Sequence, residues 1–254
     1  YKTHKDIKLE STSAMDIQGL LFQTRDPLLK DVRIRRAIAL SLDVPQIVDA
    51  VSGGVAKPSR SVIPEPSSYY KTAEAQMPAR NLALARKLLA QAGYKGQPIT
   101  LLTTQRYPSM FNIAMLTQAM AQQAGIKMNV EVLDWGTLLD RYIKGNYQAM
   151  TFTFSPRLDP SLSYEMISGP QDKQPRKVWD NPEALSLIAK SMEVTDRGQR
   201  QAIFDQLEAM MRQDVPAVFM YSGVFTSGAR SYVSGYKGWP LGLPRAWGVT
   251  VRPH

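Results

Sequence analysis

The sequence predicts an α/β fold built on a largely parallel sheet with flanking helices. From residue 79 to residue 154 helical and strand patterns alternate, which is the order of a sheet threaded through helical crossovers. A chain of 254 residues that is 44% hydrophobic and 21% charged also has enough apolar material for a sizeable core.

Residues 16 to 24, Asp-Ile-Gln-Gly-Leu-Leu-Phe-Gln-Thr, read as a strand leading into a helix pair. Asp31 can cap a helix on which Val32, Ile34, Ala37, Ile38 and Leu42 recur at helical spacing, with Arg33, Arg35 and Arg36 reading as a solvated basic face. Asp43 caps the second helix, Pro45 sits in its first turn, and Gly53-Gly54 ends it. The stretch from Val55 to Met77, rich in Pro, Ser and Tyr, predicts a long ordered loop. Helix 79–92, stopped at Gly93, then precedes strand 99–103, helix 109–124 and strand 126–133. Asp134 caps helix 135–144, Gly145 stops it, and strand 147–154 follows. Further helices are expected at 182–193 and 196–213, the latter capped by Thr195, before a strand at 215–221. The tail from Tyr221 to His254 reads as short strands and turns without a core of its own.

Composition removes several classes of function. No apolar run approaches the roughly 20 residues that span a bilayer. With no cysteine, thiolate catalysis is excluded, and the two histidines, His4 and His254, lie at opposite ends of the chain. No phosphate-binding glycine loop or nucleophile elbow is present, so neither a metal site nor a cofactor is expected. The net charge of +9 is dispersed without basic runs, which argues against nucleic acid as a partner. An enzyme using converging carboxylates remains the alternative to a binding protein.

The run Asp26-Pro-Leu-Leu-Lys-Asp-Val-Arg-Ile-Arg-Arg-Ala-Ile38 resembles the Pro-Phe-x-Asp-Val-Arg-Val-Arg-x-Ala signature of family 5 solute-binding proteins, which serve ABC importers of dipeptides, oligopeptides and nickel complexes. Ala85-Arg-Lys-Leu-Leu-Ala-Gln-Ala-Gly-Tyr94 is similar to that family's Ala-x-x-Leu-Leu-x-x-Ala-Gly-Tyr segment, and Ile126 to Trp135 to its strand–helix junction. The resemblance implies a lobe of the periplasmic-binding-protein type II class, plus interlobe crossover segments, from a receptor about twice this length. It divides the chain into a crossover strand and first-lobe remnant (1–26), a second lobe (27–214) and a return strand with a C-terminal first-lobe segment (215–254). It further implies non-covalent capture of a peptide-like or other small polar solute between two lobes. The implied partners are the permease transmembrane subunits and an N-terminal half absent from this sequence. The implied location is the periplasm, or the bacterial cell surface by a lipid anchor.

Candidate site residues cluster at Phe154-Ser-Pro-Arg-Leu-Asp-Pro160, beyond the end of a predicted parallel strand, where open α/β sheets commonly bind ligands. In peptide-binding members of the family this loop begins with Trp, and an Asp three residues on pairs with the ligand's α-ammonium. Here Phe154 takes the aromatic place and Arg157 the aspartate place, with Ser155 between them. A guanidinium cannot pair with an ammonium but suits an anionic or polar acceptor group. A bridge from Arg157 to Asp159 or to a loop carbonyl would account for the residue equally well. Asp159-Pro160 reads as a turn before a helix starting at Ser161. The resemblance makes Trp135 ligand-proximal, with Tyr142 on the same helix. Phe219 and Tyr221 share one face by strand alternation and are expected along the cleft, with core packing the reading for at least one of them.

Overall fold

The computed structural model describes residues 6–252. His4 and His254 therefore lie outside the described residues. Strands β1 (Ile7–Phe22), β2 (Ile99–Thr103), β3 (Met128–Val132), β4 (Ala149–Phe154) and β5 (Ala217–Arg230) form one sheet in the order β3-β2-β4-β1-β5. β2 runs parallel to β3 and β4, whereas β1 is antiparallel to both β4 and β5. The expected parallel sheet is thus a mixed one, with β1 the reversed strand. A small ladder of β6 (Val233–Ser234) and β7 (Thr250–Val251) sits in the tail.

Two apolar cores sandwich the sheet. On one face Leu20, Phe22, Leu101 and Val218 meet Ile34 and Ile38 of α1 (Val32–Ser41), Ile47 of α2 (Val44–Ser52), Ala85 of α4 (Leu82–Gln91) and Ile113 of α5 (Pro108–Gln123). Helix α3 (Thr72–Ala75) is a single turn in the long loop. On the other face Ile17, Leu21, Leu102 and Phe152 meet residues of four helices. These are Leu138 of α6 (Trp135–Lys144), Tyr164 of α7 (Pro160–Ile167), Ala184 of α8 (Pro182–Glu193) and Phe204 of α9 (Arg197–Asp214).

The capping logic holds locally. Asp31, Asp43 and Asp134 each accept a backbone N–H in the first turn of their helices, and Gly53 ends α2 at φ 63°, a conformation open to glycine. The cap of α9 is Asp196, whose carboxylate reaches Gln199 N, in place of the expected Thr195. β1 starts nine residues before the predicted strand, at Ile7 against residue 16, and β5 runs on to Arg230. The tail is therefore not all short strands. The outer half of the β1–β5 ladder is polar, Lys-Leu-Glu-Ser-Thr-Ser, so it lacks the apolar alternation by which a strand is read.

On the basic face expected on α1, Arg33 is exposed as expected, but Arg35 is not solvated. Arg35 is only 6% exposed and holds the carbonyls of Leu29 (2.7 Å), Lys30 (3.0 Å), Val215 (2.9 Å) and Asp214 (3.2 Å). Arg36 reaches Gln213 O at 2.5 Å, and Arg33 joins Asp31 to Gln91 O. The carbonyls of Gln213, Asp214 and Val215 lie where α9 gives way to β5, at Val215, whose φ of 44° puts a β-branched residue in the left-handed region. Such a residue costs about 1–3 kcal/mol and persists only where its surroundings fix it. Arg35 is that fixture.

A second buried polar group ties the long loop down. Glu208, 3% exposed, accepts from Ser61 Oγ (2.8 Å) and Tyr164 Oη (2.9 Å), joining α9, α7 and the loop. Burial raises its pKa above the ordinary carboxyl range, with the Ser61 and Tyr164 bonds opposing the shift.

Two stability predictions follow from these groups. Arg35→Met leaves its buried carbonyls without donors and should destabilise the fold by about 3 kcal/mol, read as a lower midpoint in urea. Glu208 holds its proton in the folded state at pH values where the unfolded chain has lost it, so stability falls as pH rises through that window. Glu208→Gln, which keeps the accepting oxygen and removes the charge, should gain on the parent as pH rises from about 4.3. Paired urea titrations across pH 4–8 check it; a constant difference would refute the burial argument.

Candidate functional site

Beyond the carboxyl end of β4, α6 and the loops around α7 enclose a concavity of about 280 Å³. Trp135, Leu139 and Tyr142 line it from one face of α6, at the i, i+4, i+7 spacing of a helix stripe. Phe152 and Phe154 enter from alternate positions of β4, followed by Ser155 and Arg157 of the next loop. Glu165 and Met166 come from α7, and Arg176 and Lys177 from the loop before α8.

The floor is aromatic. Tyr142 stacks on Phe152 with centroids 4.3 Å apart, Phe152 meets Phe154 at 5.0 Å, and Trp135 lies at 6.2 Å from Phe152, nearly parallel to it. Tyr107 closes the row edge-on to Trp135 at 5.0 Å. Offset and edge contacts of this kind fix ring orientation beyond what area alone gives.

Charge lies along the rim. Lys177 is 1% exposed in its side chain; its ammonium meets the Glu165 carbonyl, Glu165 Oε1 at 3.3 Å and Met166 O at 3.5 Å, and so caps the last turn of α7. Burial lowers its pKa, while Glu165 opposes the shift. Arg157 donates to Pro156 O at 3.1 Å. Asp159 does not bridge to it. The Asp159 carboxylate caps α7 through Ser161 N (2.8 Å) and takes Arg200 Nη2 on both oxygens at 2.6 Å, so α7 starts at Pro160, one residue before the expected Ser161. Burial alone would raise the Asp159 pKa, but Arg200 and the Ser161 bonds together hold it below the ordinary value.

Of the six candidate residues, Trp135, Tyr142, Phe154, Ser155 and Arg157 line this one surface. Tyr221 does not. The register between β1 and β5 shifts between Gln18↔Tyr221 and Gly19↔Phe219, and this bulge undoes the alternation that would put Phe219 and Tyr221 on one face. Phe219 packs with Phe154, whereas Tyr221 packs in the opposite core with Leu20 and Met220. Arg176 and Lys177 had no local signal, because Gln23 and Gln171 bring their loop in. Gln23 Nε2 reaches Pro175 O at 3.1 Å, and Gln171 Nε2 reaches Lys177 O at 2.7 Å.

A model for bacterial extracellular solute-binding proteins, family 5 (middle region), matches residues 1–175. The chain belongs to that family. Among curated relatives of this solute-binding protein, "Probable deoxycholate-binding periplasmic protein YgiS" of Escherichia coli (strain K12) is 25% identical over 88% of this chain and 42% of its own length. Oligopeptide-binding protein AppA of Bacillus subtilis (strain 168) is 26% identical over 87% of this chain and 44% of its own length. The structure of HbpA2 from Haemophilus parasuis matches with a TM-score of 0.89 and 22% identity, covering 99% of this chain and 51% of that one. The chain spans about half the length of the curated relatives it matches. These relatives are binding proteins, and the carboxylate-enzyme alternative falls with that finding.

Asp159→Ala should lower stability by about 1 kcal/mol through loss of the α7 cap, with little from the half-exposed ion pair. Because the Asp159 pKa is depressed, its contribution is present above the ordinary carboxylate range and is lost as pH falls below about 3.9. Thermal unfolding of parent and variant should therefore converge in acid.

Proposed function

We propose that this chain supplies one lobe of an extracytoplasmic receptor that captures a small solute without covalent chemistry and delivers it to the transmembrane subunits of an ABC permease. The observation that carries the reading is the concavity itself: one family member's strand ends, helix stripe and loop converge on an aromatic floor that is open on one side. A half-pocket of this kind needs a second wall. On this reading residues 27–214 form the lobe, and residues 1–26 and 215–254 are the crossover and return segments leading to the other one.

The outer β1–β5 ribbon supports that division. Ile17–Phe22 pair with β4 inside the sheet, whereas Ile7–Ser13 pair with Val224–Arg230 alone. Between them the register shifts, and the Asp16 carboxylate fills the place a side chain at Gly223 would need. Two ribbons joined through such a bulge are suited to flex as the lobes close, the solute selecting the closed state. The relatives are named for different solutes, deoxycholate in one and an oligopeptide in another, so the solute of this chain must be read from its own surface.

Calorimetry of the full-length receptor with its transported solute tests the site. Trp135→Ala should weaken binding by about tenfold or more, the loss usual for a buried aromatic anchor. Tyr221→Phe should leave affinity unchanged. The reverse pattern would move the site away from this concavity.

A further inference from the structure

Resting on the receptor reading above, we propose that the solute is an organic anion with a flat or extended apolar body. Arg157 and Arg176 receive its carboxylate or phosphate group, and the row of Trp135, Phe152 and Tyr142 receives its body.

The argument starts from charge. Three cations line the concavity, Arg157, Arg176 and Lys177, against a single carboxylate, Glu165. That carboxylate is already engaged by Lys177, whose own ammonium is buried against α7 carbonyls. What remains is two guanidinium groups at one rim. Arg157 gives a hydrogen bond to the carbonyl of its own neighbour, Pro156, and no ion pair joins it or Arg176 among the described residues. A guanidinium has five donors, so most of the donor capacity of Arg157 is left unused by the described residues. Tyr142 lines the same concavity, and burial raises the pKa of its phenol, which stays protonated as a further donor.

Cations so placed repel an ammonium and favour an anion, and they do so more strongly once a second lobe excludes water. Ring faces and edges, with Leu139 and Met166, suit an apolar body, and the hydroxyls of Thr153 and Ser155 add polar groups to the lining. A free ammonium group finds no open counter-ion there, because the one lining carboxylate is engaged by Lys177.

The test is calorimetry on the full-length receptor with 2-naphthoate, 2-naphthyl phosphate, neutral 2-naphthamide, 2-naphthylmethylammonium and the dipeptide Ala-Phe, with Trp135 emission as the reporter of place. One of the two anions should bind about tenfold tighter than the amide, and their ratio distinguishes carboxylate from phosphate. Arg157→Ala and Arg176→Ala should each remove about that factor, and Arg176→Lys should restore part of it. If the amide, the ammonium or the dipeptide binds as well as the anions and the arginine variants are silent, the receptor reading stands and the anion assignment is overturned. Silence from all five probes overturns the anion assignment, while the receptor reading is judged by calorimetry with the transported solute.

Discussion

The fold depends on how the Arg35 guanidinium holds the turn from α9 into β5. An α-helix ends with carbonyls that have no partner, and here those carbonyls are inside the protein. A planar group with donors along two edges serves several at once, which a lysine ammonium on a flexible stem would not do equally well. Trp179 Nε1 and Asn181 Nδ2 hold the Asp214 side chain at 2.7 and 2.9 Å, so the same turn is fixed from both sides. With its entry set, β5 meets β1 in a defined register, and β1 in turn sets β4. Phe154, opposite Ile17 in that ladder, reaches the concavity because of a contact made at the far end of the lobe.

The concavity separates two jobs that many sites mix. Its floor is a set of rings that orient one another, and its rim is a set of cations whose one local counter-ion is occupied. Lys177 shows how such an excess is held. Its stem packs over Gly169, where any side chain would collide with it, and its charge is spent on a helix end. Arg157 and Arg176 have no equivalent employment within the lobe.

Much of this was legible in the sequence because it is local. Helix 135–144 falls where its caps put it, since Asp134 and Gly145 act on neighbours within one turn, and helix 182–193 falls where it is expected, with Asn181 supplying the cap. That Phe154, Ser155 and Arg157 come together on one concavity was legible through strand–loop order, and the place of Trp135 beside them through the family resemblance. Long-range polar contacts were not. Arg35 looks like any surface arginine until the α9–β5 turn, about 180 residues away, is laid against it. Arg176 depends on Gln23, and the displacement of Tyr221 on a one-residue slip in a ladder, neither of which leaves a pattern along the chain.

The pairing of β1 with β5 has a consequence for how the chain reaches this state. Asp6 and Arg230, ion-paired across the outer ribbon, are 224 residues apart. Until β5 exists, β1 has one sheet neighbour, β4, and its other edge is bare. The loop that must close spans those 224 residues, so the entropy of closing it is lost before the ribbon returns any stability. The lobe is consequently slow to finish and keeps an open strand edge in the meantime.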